Sequence, residues 1–264
     1  MSGEERGEVL FSLSGDGVGV ITVNRPQVRN ALNRAAMRGL EDAIGRAERA
    51  SGLRALILTG AGQTFISGGD IRDLHSRMSE SDGLHQHDLM TAILSRLETL
   101  PVPVIAALEG ATRGGGCEVA LACDLRFAAE DATLGFVQVR MGVTPGWGGA
   151  RRLYELVGYS RAMDLLLSGR ILTAHEALEL GLVNRLTAPG RALEAARSLA
   201  SEIARGPALA IRGIKEVLSA YRTLPAAQAA ERERAIFGRL WASADHAGAS
   251  AAFLEKRPPV FRGE

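Results

Sequence analysis

Twice in this chain an apolar run passes straight into glycines and then into a helical pattern, once over residues 54–71 and again over 104–123. The runs Ala55-Leu56-Ile57-Leu58 and Val104-Ile105-Ala106-Ala107-Leu108 carry no polar alternation, the pattern of strands buried on both faces. Such strands need helices above and below them, so the two units alone demand an α/β fold with a largely parallel sheet. They also fix where chemistry can sit. A glycine loop opening a helix exposes backbone N–H groups where the helix dipole favours negative charge.

The rest of the chain fits that frame. Residues 9–13 and 18–23 are β-rich and flank Ser14-Gly15-Asp16-Gly17, a hairpin signal. Asn24-Arg25-Pro26 ends the second strand. Asn30 is the expected cap of a helix whose apolar positions Ala31, Leu32, Ala36, Met37, Leu40 and Ile44 recur at helical spacing. Residues 84–100 read as a helix stopped by Pro101 and Pro103, and 117–123 as a second, apolar one. Strands are expected at 125–129 and 133–136, and the loop 142–149 opens a helix ending near Gly158. Beyond Ser160 the pattern is almost wholly helical, with one strand at 182–186. A composition shift near residue 190 divides the chain into an α/β core, 1–190, and a helical part, 191–264.

Composition narrows the class. At 264 residues the chain buries roughly three quarters of its extended surface, so a core needs no disulfide or metal staple. Lys+Arg is 31 against 30 Asp+Glu, which argues against a dedicated nucleic-acid binder, RNA included, or a polybasic membrane binder. Only Lys215 and Lys256 are lysines, so clusters of arginine carry little information. Cys117 and Cys123 form neither a CxxC pair nor a disulfide framework, and a reducing cytoplasm is the expected setting. Residues 1–8 are acidic and polar without an apolar signal region, and no window reaches the ~18 apolar residues of a membrane span.

The two glycine loops admit three readings. They can cradle phosphate, although neither fits GxGxxG or GxxxxGK[ST]. They can supply one peptide N–H each to an oxyanion hole. Or their glycines simply let a helix pack closely on the sheet.

Resemblance separates these. Phe65-Ile66-Ser67-Gly68-Gly69-Asp70-Ile71 resembles the first oxyanion loop of the crotonase (enoyl-CoA hydratase/isomerase) superfamily, and Gly110-Ala111-Thr112-Arg113-Gly114-Gly115-Gly116-Cys117-Glu118 its second. Asn24-Arg25-Pro26 with Asn30-Ala31-Leu32 is similar to the family's opening segment. Residues 142–153, Gly181-Leu182-Val183 and Phe253-Leu254-Glu255-Lys256-Arg257 are similar to its later landmarks. The likeness runs in order along nearly the whole chain.

The resemblance implies a crotonase-type spiral of ββα units, with the helical part 191–264 building a homotrimer, often paired into a hexamer. It implies an acyl-CoA thioester as substrate, coenzyme A being part of that substrate and no other cofactor being needed. Position by position, the N–H groups of Gly69 and Gly115 are the expected stabilisers of the thioester enolate. Glu118 matches the first of two glutamates that hydratases use around a water, although a carboxylate at a helix start can also serve only the dipole. Gln138 stands where the second is expected, and a neutral amide can hold water or substrate but cannot cycle a proton. The implied activity is a hydratase-like lyase carrying that departure. Residues 136–149 are also similar to decarboxylase-like members acting on substituted malonyl-CoA, and a non-catalytic acyl-CoA binder is the remaining alternative.

Ser67, Gly68, Asp70, Ile71, Gly114 and Trp147 are the expected substrate contacts, with Trp147 either lining the acyl pocket or anchoring its helix. Arg25, Arg72 and Lys256 are candidates for the CoA phosphates or are solvated charges. Arg113 pairs with an acyl carboxylate, with Glu118, or plays a structural part. His75, His85 and His87 fall where relatives shape the acyl pocket. His85-x-His87-Asp88 has a metal-like spacing without further ligands, so no metal is expected. Cys117 reads as a packed thiol rather than a nucleophile.

Overall fold

The computed structural model describes residues 7–264, so the acidic stretch 1–6 lies outside it. The expected hairpin joins β1 (Val9–Leu13) to β2 (Val18–Val23), with Val9 opposite Val23 and Leu13 opposite Gly19. After α1 (Arg34–Arg49), β3 (Ala55–Gly60) pairs parallel with β2. The chain then forms α2 (Ile71–Leu74) and α3 (Glu80–Thr99) before β4 (Val104–Leu108), which lies parallel to β3. β5 (Ala111–Arg113) leaves this sheet, α4 (Gly115–Leu121) follows, and β6 (Leu125–Ala129) returns beside β4. β7 (Thr133–Gly135) pairs with β5, and after α5 (Gly149–Val157) and α6 (Tyr159–Ser168) comes β8 (Ile171–Thr173), antiparallel to β7. Past α7 (Ala174–Glu179), β9 (Arg185–Thr187) closes the large sheet beside β6. The helices α8 (Ala192–Ala204), α9 (Ala208–Thr223), α10 (Ala226–Trp241) and α11 (Ala244–Leu254) complete the chain.

The large sheet has the order β1-β2-β3-β4-β6-β9 and the small one β5-β7-β8. β1, β2 and β3 all join the large sheet, and from β4 onward each strand pair, β4 with β5, β6 with β7 and β9 with β8, gives one strand to each sheet, in keeping with the expected spiral of ββα units.

The continuous apolar runs now have their cause. On β3, Leu56 and Leu58 face α1 and α3 with Leu40, Ile44 and Leu94, whereas Ala55 and Ile57 face the other way. That second face is covered by α8 through Ala192, Ala196, Ala200 and Ala204, one alanine per turn, against Val18, Val20, Ile105, Ala107 and Phe127. Each large apolar side chain buried in this way is worth roughly 1.5–3 kcal/mol. The helical part after residue 190 therefore begins with a layer of the core, and the chain leaves the sheet only at Gly206-Pro207. Glu109 fastens the start of α8, accepting from the N–H groups of Gly190 (3.0 Å) and Ala192 (2.8 Å).

Several boundaries differ from expectation: beyond Ser160 there are two strands, β8 and β9, and the one expected at 182–186 is β9 at Arg185–Thr187, with Leu182 and Val183 buried in the turn before it. The cap of α1 is Asn33, whose side chain accepts from the Ala36 N–H at 2.7 Å. Asn30 is fully buried in a left-handed conformation, φ 56°, where its amide bonds the Arg25 N–H and the carbonyls of Ala61 and Thr64. Helix α3 starts at Glu80 because Ser79 and Asp82 form a capping box ahead of it.

Cys117 and Cys123 are both buried, and burial pushes each thiol up to about 12. The native protein is accordingly expected to leave a disulfide reagent unconsumed, and denaturant to release both thiols; rapid native labelling would contradict the packing.

Candidate functional site

Phe65 and Ile66 are fully buried and anchor the first glycine loop in the core. From there the Leu32 N–H donates to the Gly68 carbonyl (2.8 Å) and the Asp70 N–H to the Leu32 carbonyl (2.9 Å). Between these two bonds the Gly69 N–H has no acceptor among the described residues.

The second loop turns from β5 into α4 at Gly114, whose φ of 51° and ψ of −118° only glycine adopts without strain. Gly115 is the first residue of α4, so its N–H is one of those no intrahelical carbonyl can reach. It too has no acceptor among the described residues.

The loops are clamped main chain to main chain. The Arg113 N–H donates to the Ile66 carbonyl at 3.3 Å. Gly116 lies so close that an added Cβ would sit 1.9 Å from the Ile66 oxygen, and one on Gly68 would sit 3.4 Å from the Gly115 nitrogen. Gly69 and Gly115 border one cleft of about 410 Å³, within the range of small-molecule sites. Apolar side chains of Ile71, Leu74, Met78, Val137, Met141 and Val143 line it.

Glu118, on the first turn of α4, is 1% exposed and reaches the same cleft. Its Oε2 accepts from the N–H groups of Trp147 (2.7 Å) and Gly149 (2.8 Å), its Oε1 from the Gln138 amide (2.9 Å) and the Gly146 N–H (3.3 Å). The main-chain donors lie at the start of α5, whose cap position, Gly148, offers no side-chain bond. Glu118 thus caps α5 from a distant helix, where the dipole favours its charge. Burial nevertheless pushes its carboxyl above the usual range, and the N–H groups of Gly149, Trp147 and Gln138 oppose that rise. The result is a buried carboxylate that can hold a proton nearer neutrality than a surface one.

Gln138, at the second-glutamate position, is 9% exposed, and its Oε1 has no donor among the described residues. The Trp147 indole fills the space beside Gly115, whose added Cβ would lie 2.2–2.6 Å from three ring atoms, and its edge would lie 3.8 Å from a Cβ added to Gly69. It therefore both lines the cleft and anchors its loop.

Of the residues singled out in the sequence, Ser67, Gly68, Gly69, Ile71, Gly114, Gly115, Glu118, Gln138 and Trp147 border the cleft, as do His75 and His87. Arg25, Asp70, Arg72, Arg113, His85 and Lys256 are not part of its lining. Arg25 is 8% exposed with its guanidinium between Glu8 and Asp70, 3.0 Å from each carboxylate. Asp70 also caps α2 through the Arg72 N–H. Arg113 has the structural role, tying β5 to β7 through the Thr133 carbonyl (2.7 Å) and hydroxyl (2.8 Å). The described residues contain no group of three or more His, Cys, Asp or Glu able to hold a metal.

Sequence reasoning missed the grip of Gly146, Trp147 and Gly149 on Glu118. Its signal was present: a glycine loop opening a helix without a capping side chain needs an acceptor from elsewhere.

Known proteins share this arrangement of elements. Residues 14–264 match the family model described as enoyl-CoA hydratase/isomerase. The short-chain-enoyl-CoA hydratase of Clostridium acetobutylicum is 37% identical over 241 residues, covering 91% of this chain and 92% of that protein. The 2,3-dehydroadipyl-CoA hydratase of Escherichia coli is 35% identical over 245 residues, covering 92% and 94%. Among solved structures, an enoyl-CoA hydratase from Bacillus anthracis superposes with a TM-score of 0.92 at 33% identity, covering 97% of this chain and all of that one. The chain belongs to the enoyl-CoA hydratase/isomerase family of the crotonase superfamily, and is an enzyme of that family.

Proposed function

We propose that the cleft binds an acyl-CoA thioester with its carbonyl oxygen between the Gly69 and Gly115 N–H groups, and that the chain is an enoyl-CoA hydratase-like lyase. The observation that carries this reading is the pair of acceptor-free N–H groups bordering one apolar cleft with a buried carboxylate. Negative charge develops on the thioester oxygen as water adds to an enoyl group and an α-carbanion forms. Fixed donors aimed at that oxygen are worth about 2.7–4 kcal/mol each. Glu118 is the group that moves the proton. Gln138, bordering the cleft beside Glu118, orients water or substrate. Coenzyme A enters as part of the substrate, and the reaction as proposed calls on no other cofactor or metal.

With one carboxylate instead of two, crotonyl-CoA hydration is expected to be slow. Gln138→Glu is expected to raise it by ~10²-fold, the low side of general acid–base contributions. The loss of enoyl absorbance measures both. A wild type left no faster by the substitution refutes the assignment of Gln138. Tight CoA-ester binding with no turnover of enoyl-, 3-hydroxyacyl- or malonyl-type esters would identify a non-catalytic binder instead.

The direct Gln138–Glu118 bond favours a second reading, decarboxylation of a substituted malonyl-CoA. Loss of CO₂ creates the same enolate without a strong base, and CO₂ release from malonyl-type esters is its measure.

We also propose that, of the 191–264 part set off from the 1–190 core by composition, α8 belongs to the core and α9–α11 are the helices through which the chain assembles as a trimer or a dimer of trimers. Exposed Leu218, Phe237, Trp241 and Phe253 on α9–α11 support this assembly. No helix among the described residues is long and apolar enough to cross a membrane. The two unpaired thiols favour a reducing, cytoplasmic setting.

A further inference from the structure

Behind the loop that holds Glu118 lies a buried ion pair. Arg152, on α5, is 2% exposed, and its guanidinium donates to Glu98 Oε2 on α3 at 2.6 Å and to the Trp147 carbonyl at 2.7 Å. That carbonyl stands between the Trp147 and Gly149 N–H groups, the two donors on Glu118 Oε2. The carbonyl shares its peptide plane with the Gly148 N–H, and the two donors lie on the adjoining planes, hinged to it at the Trp147 and Gly148 α-carbons, so holding it fixes the common side of both hinges. The guanidinium also packs against the loop itself, 2.8 Å from where a Cβ on Gly148 would stand.

Glu98 holds the other end. Burial pushes its carboxyl up, but Arg152 and Arg222 bring it below the usual range, so it stays charged. Exposed Arg151 also reaches it, at 3.2 Å. A buried pair of this kind stabilises no better than apolar packing of the same volume, so stability alone gives little reason for it.

We propose that Arg152 is a positioning residue for Glu118. Clamped by Glu98, it fixes the Trp147 carbonyl, aims the Trp147 and Gly149 N–H groups at the carboxylate, and so sets how readily Glu118 takes up a proton. Around Glu118 a 3-10 turn at Val137–Met141 contributes the neutral Gln138, and α4 the Cys117 thiol, uncharged with its titration near 12. From α5 and α3 come Arg152 and Glu98, which act through the loop.

The consequence for turnover rests on the reading of Glu118 as proton-transfer group; the titration of its carboxyl does not. Infrared spectra of protein carrying isotope-labelled glutamate, with Glu118→Gln identifying the band, report that titration directly. Arg152→Gln is expected to move it up by about one pH unit, because the charged form loses aligned donors. Arg152→Lys, which keeps a donor for the carbonyl, is expected to move it less. Arg151→Gln, which removes an exposed partner of the same Glu98, is expected to leave it in place. If Arg152→Gln does not fold, Glu98→Gln takes its place and is expected to give a smaller upward shift. An unchanged Glu118 titration in a folded Arg152→Gln, or failing that in Glu98→Gln, overturns the proposal. Where a CoA ester is turned over, kcat of Arg152→Gln should fall with KM nearly unchanged. If no ester is turned over, the functional reading fails while the titration result stands by itself.

Discussion

Glu118→Gln is expected to lower turnover of the preferred acyl-CoA by ~10²–10⁴-fold, the usual share of general acid–base catalysis. The structure adds a second effect. Glu118 accepts from Gln138, Gly146, Trp147 and Gly149, all buried or partly buried donors. A glutamine offers one oxygen where the carboxylate offers two, and turns an NH₂ toward N–H groups that need an acceptor. Each donor left without one costs about 1–3 kcal/mol. The variant should therefore unfold at a lower temperature while keeping its far-ultraviolet circular dichroism. Turnover is to be expressed per folded molecule, so that the two effects separate. A variant that retains full turnover would remove Glu118 from the chemistry.

Gly116→Ala is expected to be strongly destabilising for a single added methyl group. Its Cβ would stand 1.9 Å from the Ile66 oxygen and 2.7 Å from the Ile66 carbonyl carbon. Those atoms are main chain, so no rotamer change relieves the overlap and the two glycine loops must part. A loss of at least about 3 kcal/mol follows, at the upper end of overpacking costs. The folded remainder should also lose activity, since the Gly69 and Gly115 N–H groups sit on the parted loops. By contrast, nothing lies within 4 Å of a Cβ on Gly238, inside α10. Gly238→Ala should gain roughly 0.5–1 kcal/mol. Urea unfolding of both variants measures the contrast, and a neutral Gly116→Ala would show the clamp between the loops to be soft.

The parts of this fold that were legible in the sequence are those where burial is two-sided. Leu56-Ile57-Leu58 and Ile105-Ala106-Ala107 could only be strands under helices, and the glycine loops after them could only be turns into the next element. The small sheet was hard to read because β5 and β8 have three residues each, too few for a period to show. Asn30 was misread since asparagine suits both a helix cap and a left-handed turn, and what separates it from Asn33 is contact with Ala61 and Thr64, over thirty residues away. The site divides in the same way. Gly69, Gly115 and Glu118 were singled out through the family resemblance, the glycine loops alone leaving packing and phosphate readings open, and folding brings all three to one cleft. The role of Arg25 was not readable, because only folding brings Glu8 and Asp70 to either side of its guanidinium. Arg152 and Glu98 gave no signal at all, being 54 residues apart and ordinary members of helical patterns.

The alanine row of α8 has a mechanical side. Side chains that end at Cβ let the helix axis lie close on the sheet, while Leu193, Leu199 and Ile203 flank the row and key it into the same cluster. A second stop stands at its head, where Glu109 latches Gly190 and Ala192 while its own carbonyl receives the Phe65 N–H at 2.9 Å. One residue thereby indexes a whole outer layer to the first glycine loop.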